Sequence, residues 1–166
     1  MKHLFACALI AIIATLTSCE SIDDERIPPV AVRLELDNQG LWNTYGVHGY
    51  GDYRYFIREE KKPSNFSYTD MTRTGFGGIL LINGYYAGDY NVPLAYDLAC
   101  PVEARYNVRL QIDRSTFEAH CKKCGSRFDV CEGYGRPTSG EALNRGFGMK
   151  QYRVFPAQSG GYVITR

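Results

Sequence analysis

Three cysteines stand in a pattern that can do chemistry: Cys121-Lys122-Lys123-Cys124, followed by Gly125, and upstream of it Cys100-Pro101. Two soft, ionisable sulfurs with two residues between them grip one metal ion, close one disulfide or work as a redox pair. Gly125 lets the backbone turn sharply just after the second sulfur without a Cβ penalty. A thioredoxin-like redox role is the least favoured of the three, because that motif opens a helix in a βαβ unit and no helical pattern follows Cys124. Scattered Ser, His and Asp residues supply no hydrolytic set with a fixed geometry, so a stand-alone enzyme is the weaker class.

The elements that must position these sulfurs read as short strands. Val30, Val32, Leu34 and Leu36 alternate with Ala31, Arg33, Glu35 and Asp37, the period of a half-buried strand. Leu41 to Tyr45 makes one helical turn, and Tyr53 to Arg58 a second strand before the charged loop at Glu59-Glu60-Lys61-Lys62-Pro63. Gly75-Phe76-Gly77-Gly78 would cradle a phosphate only if a helix followed. The apolar run Ile79 to Ile82 and a hairpin signal at Asn83-Gly84 follow instead, which dismisses a nucleotide. Tyr85, Tyr86 and Tyr90 read as strand packing with polar tips. Pro93 to Ala99 leads as a strand into Cys100, and Val108, Leu110 and Ile112 alternate with polar residues. Asp113-Arg114-Ser115 turns the chain, and Thr116 to His120 returns it into Cys121. Antiparallel pairing of that hairpin brings Cys100 and Cys121 together in space. Strands at Gln151 to Phe155 and Tyr162 to Thr165 close the chain.

Cys100-Pro101, the hairpin, Cys121-x-x-Cys124-Gly125-Ser126-x-Phe128-Asp129, Gly133, Gly140-Glu141-Ala142 and Tyr152-x-Val154 together resemble a Rieske domain over roughly residues 75–166. That family has C-P-H in its first loop and C-x-x-H-G in its second, two cysteines holding one iron and two histidines the other. The resemblance implies an all-β, Rieske-like fold over residues 30–166, built of small antiparallel sheets with both cysteine loops at one tip. It also implies a metal or [2Fe–2S] centre on Cys100, Cys121 and Cys124, in an electron-transfer module with a redox or binding partner protein.

The ligand set departs from the family. Val102, which has no donor, stands where the first histidine belongs, and Cys124 stands at the second. His120 directly precedes Cys121 in a strand and so faces the other way. An ordinary two-histidine cluster is excluded. Three readings stay open: an iron–sulfur cluster on Cys100, Cys121, Cys124 and a fourth ligand; structural zinc on the same thiolates; or no metal, with disulfides formed in an oxidising compartment. Cys100, Cys121, Cys124 and Cys131 allow three pairings. Cys131 is the remaining ligand candidate, but extended chain would carry it ~23 Å from Cys124. It reads more simply as a buried thiol or a disulfide partner.

The N-terminus bears on location. Met1-Lys2-His3 is a short basic head, and Leu4 to Leu16 is apolar but shorter than the roughly 20 residues of a membrane span. It matches the core of a secretory signal peptide over residues 1–18. Leu16-Thr17-Ser18-Cys19 resembles a bacterial lipobox, which implies acylation of Cys19 and an exported, outer-membrane-anchored lipoprotein, periplasmic or surface-exposed. Residues 19–29 then form an acidic tether ending in Pro28-Pro29. Loss of the leader removes Lys2 alone of the 19 Lys and Arg, leaving as many bases as the 18 Asp and Glu. That balance argues against nucleic acid or an anionic membrane surface as partner. The 13 Tyr and 17 Gly, with few helical patterns, fit a β-rich exported domain.

Overall fold

The computed structural model describes residues 21–166, so the leader and Cys19 lie outside the described residues. The protein is all-β. Among the described residues eleven strands run β1 Val32–Leu36, β2 Tyr53–Phe56, β3 Arg73–Thr74, β4 Ile79–Tyr86, β5 Asp89–Asp97, β6 Gln111–Ile112, β7 Glu118–His120, β8 Arg127–Asp129, β9 Arg136–Ser139, β10 Gln151–Pro156 and β11 Tyr162–Thr165. Among the described residues two short helices, α1 Gln39–Tyr45 and α2 Glu141–Arg145, interrupt them. A seven-stranded sheet has the order β2-β4-β5-β10-β11-β1-β3, and a four-stranded sheet the order β6-β7-β8-β9. Every named strand pair is antiparallel.

The unbroken apolar run in β4 has a direct cause: both faces of the strand are covered. Leu80 and Ile82 join Tyr96, Leu110, Ile112, Phe128 and the three buried cysteines in one core. Ile79 and Leu81 join Leu34, Leu36, Trp42, Phe56 and Ile164 in a second. The small sheet leans on the first core, tied to the large one by Tyr96, whose hydroxyl donates to Val130 O at 3.1 Å, and by Tyr55, whose oxygen accepts from Ile112 N at 2.8 Å.

Several expected elements shift. Asn83-Gly84 does not turn the chain; β4 continues to Tyr86, and the reversal falls at Ala87 and Gly88, both with positive φ (50° and 96°). Gly84 is needed for close approach instead, since a Cβ there would strike the carbonyl oxygen of Cys131 and come within 2.7 Å of Leu94 Cδ1. Of the strand expected over 108–112, only Gln111–Ile112 forms a ladder, with Arg109 in an isolated bridge to Ala99.

The glycine run at 75–78 has its amides turned inward. The Asp97 carboxylate, fully buried, accepts from Phe76 N at 2.8 Å, Gly77 N at 2.9 Å, Ala99 N at 2.7 Å and the Tyr152 hydroxyl. Burial pushes this carboxyl above its ordinary range, against the pull of those four donors. The hub pins the strand end that delivers Cys100. Asp97→Asn replaces one acceptor oxygen by a donor facing other donors, so we expect a loss of about 3 kcal/mol in urea unfolding; a loss under about 1 kcal/mol contradicts the hub.

The acidic stretch after Cys19 is docked rather than free. Asp23 N donates to Gly146 O at 2.7 Å, and its carbonyl accepts from Gly148 N at 2.9 Å. Glu25 pairs with Lys150, Arg26 stacks over the Phe147 ring at 4.6 Å, and Ile27 is 1% exposed. The fold therefore begins before Val30. Ile27→Ala is expected to cost about 3 kcal/mol of stability; a neutral result in chemical denaturation would return this stretch to a free linker.

Candidate metal centre

Two tight turns build the tip. β5 runs out through Leu98 and Ala99 into Cys100, whose N–H donates to Val108 O at 2.9 Å. Pro101, Val102 and Glu103 turn the chain, and Ala104 N returns to Cys100 O at 2.8 Å. β7 delivers Cys121, whose N–H donates to Ser126 O at 2.9 Å; Lys122, Lys123 and Cys124 turn, and Gly125 N returns to Cys121 O at 2.9 Å. The β7–β8 ladder, with Ala119 opposite Phe128 and His120 opposite Arg127, sets the angle of the second turn.

These turns bring the Sγ atoms of Cys100, Cys121 and Cys124 within 4.8 Å of one another. Cys100 Sγ and Cys124 Sγ are 3.6 Å apart. That is far beyond the ~2.05 Å of a disulfide and close to the ~3.8 Å edge of a tetrahedron with 2.3 Å metal–sulfur bonds. Cys100 and Cys121 are 0% and 1% exposed, whereas Cys124 is half-buried at the rim. All four described cysteines are free thiols.

Burial pushes the Cys100 thiol well up, and the backbone of Glu103 and Val102 opposes it only in part. Cys124 goes the other way. Its burial opposes ionisation, but the Ser126 hydroxyl and N–H, with the thiols of Cys121 and Cys100, outweigh it and hold Cys124 below the ordinary cysteine value. Ser126 Oγ lies 3.2 Å from Cys124 Sγ and accepts from Ala142 N at 2.9 Å, which leaves its own proton for an ionised sulfur. Sequence reasoning missed Ser126 as a functional group; its place directly after the C-x-x-C-G turn was the available signal.

The other expected residues fall elsewhere. Cys131 is buried apart from the three sulfurs, its Sγ 4.0 Å from Phe117 O. His48 sits edge-on to Trp42, ring centroids 6.1 Å apart, beside the second core. His120 is half-buried with Nδ1 unpartnered among the described residues, and it does not join the sulfurs. Val102 packs against the first core. Among the described residues no imidazole joins the three sulfurs, so the residues do not fit a Rieske cluster. Three converging sulfurs fit one thiophilic ion. Searches against family models, curated proteins and solved structures find no match.

Thiol reactivity follows from these environments. In metal-free protein near neutral pH, iodoacetamide should modify Cys124 first, since attack requires the thiolate and access. Burial, then the charges of Asp129 and Glu132, push Cys131 up to about 12. Unfolding releases that proton at a lower pH, so this thiol's contribution to stability holds below the ordinary 9.0 and fades as pH rises toward about 12. Cys131→Ala should flatten the alkaline decline in melting temperature. Peptide mapping that finds Cys131 labelled before Cys124 would overturn this ranking.

Proposed function

We propose that the tip is a single-ion thiolate centre, holding zinc on Cys100, Cys121 and Cys124 and fastening the two turns, in a binding or structural protein rather than an enzyme. The observation that carries this reading is the mutual approach of the three sulfurs within 4.8 Å. Sulfurs on separate irons of a two-iron cluster would sit further apart than sulfurs on one ion. The thiols release protons as the ion binds, and the ion's charge replaces them.

Iron at the same sulfurs is the second reading, and it would make the protein an electron carrier. The Ser126 hydroxyl, 3.2 Å from Cys124 Sγ, favours it, because hydrogen bonds to ligand sulfur tune redox potential. For location, the Leu16-Thr17-Ser18-Cys19 tetrapeptide supports an exported lipoprotein. With Asp23 fixed to the fold, an acylated Cys19 leaves only ~13 Å of extended chain between lipid and domain. The domain would ride close against the membrane.

Metal analysis of protein purified without oxygen decides the matter. One zinc per chain is expected, lost in Cys100→Ser, Cys121→Ser and Cys124→Ser, with a chelator-induced fall in melting temperature; saturation a thousandfold over the dissociation constant adds about 4 kcal/mol. Iron with acid-labile sulfide and a visible charge-transfer band would favour the electron-transfer reading. Protein that binds neither metal when reduced and reconstituted sinks both.

A further inference from the structure

The two cysteine turns share one backbone form. Each starts with a cysteine, continues through three turn residues, and closes when the fifth residue's N–H returns to the first carbonyl, at 2.8 Å for Ala104 and 2.9 Å for Gly125. The fifth residue is left-handed in both, with φ 48° at Ala104 and 72° at Gly125. Glycine adopts that conformation freely; alanine does so only where the surroundings impose it. Position four of the second turn is the ligand Cys124. Position four of the first turn is Glu103.

Glu103 has the surroundings of a group that belongs to the centre. Its side chain is only 16% exposed, and its carboxylate pairs with Lys123, which lies between the two sulfurs of the opposite turn. The carboxylate therefore already crosses from the first turn to the second. It is not among the groups clustered within 4.8 Å at the tip, so reaching an ion there needs rotation about its own side-chain torsions.

We propose that Glu103 is the fourth ligand, exchanging the Lys123 ammonium for the ion; this rests on the single-ion reading above. The Lys123 ammonium moves to solvent, and the ion takes its place as counter-charge. The site becomes three sulfurs and one oxygen, closed to water. That closure gives a structural centre, since a Lewis-acid centre keeps its fourth position open. Lys123 is the competitor: it holds the carboxylate when the ion is gone.

Zinc and Co(II) titrations of the full chain, in wild type and three variants, test this. Glu103→Gln should raise the zinc dissociation constant by more than about 100-fold, beyond the roughly 10–100-fold that loss of an outer-sphere partner costs. Lys123→Met, which removes the competitor and keeps the carboxylate, should leave affinity unchanged or tighter. Glu103→Cys should still bind, and its Co(II) thiolate charge-transfer band should grow by about one third as three thiolates become four. Equal affinity in Glu103→Gln and wild type overturns the assignment while the three-cysteine site stands. So does a loss in Lys123→Met matching that in Glu103→Gln, because Glu103 would then act through the ion pair alone. A wild type that binds neither ion removes the site and Glu103 together.

Discussion

Burial of both faces of the β4–β5 pair is the constraint on which the rest of this molecule depends. Alternate residues of β4 feed two cores, Leu80 and Ile82 into one, Ile79 and Leu81 into the other. The small sheet could not stand without that support, because its strands run only two to four residues. It is held by apolar contact with β4 and β5 and by single hydrogen bonds such as Tyr85 N to Cys131 O at 2.9 Å. The cysteine tip lies where the exit of β5 meets the turn after β7. An ion there would cross-link the stable layer to the weakly laddered one, where a cross-link restrains most.

Asp97 extends that support toward the tip. A carboxylate with no exposure is tolerable only when its oxygens are satisfied, and four donors satisfy it. Two of those donors come from the glycine run, where Gly77 is required because a Cβ would strike the amide of Ala99. A loop shaped like an anion cradle thus binds an anion from its own chain. The consequence is positional: residues 97–99 are held on three sides, and Cys100 follows them directly.

The parts of this architecture visible in the sequence were those governed by local periodicity. Alternation at Val32, Leu34 and Leu36 marked β1, and the turn at Asp113-Arg114-Ser115 predicted that Cys100 and Cys121 meet. Asn83-Gly84 misled because the glycine answers a tertiary demand, room for the Cys131 carbonyl, and local turn chemistry carries no trace of that. The acidic stretch misled for a similar reason. Its charges look like a solvated linker, yet one apolar residue, Ile27, and the backbone of Asp23 fasten it to the fold. Ser126 and Glu103 were hidden because each acquires meaning only from the turn geometry. C-x-x-C is visible as a pattern; C-x-x-E becomes its counterpart only once the two backbones are seen to match.

Electrostatics set the three sulfurs apart. Three sulfurs this close cannot all ionise beside one another, since each new charge raises the next proton's affinity. The environment separates them in direction: burial pushes the Cys100 thiol up, while Ser126 and the neighbouring thiols hold Cys124, at the rim, below the ordinary cysteine value. Amides aimed at a neutral thiol contribute little; aimed at a thiolate they stabilise it strongly. Lys123 and Glu103 neutralise each other across the two turns from outside the cluster.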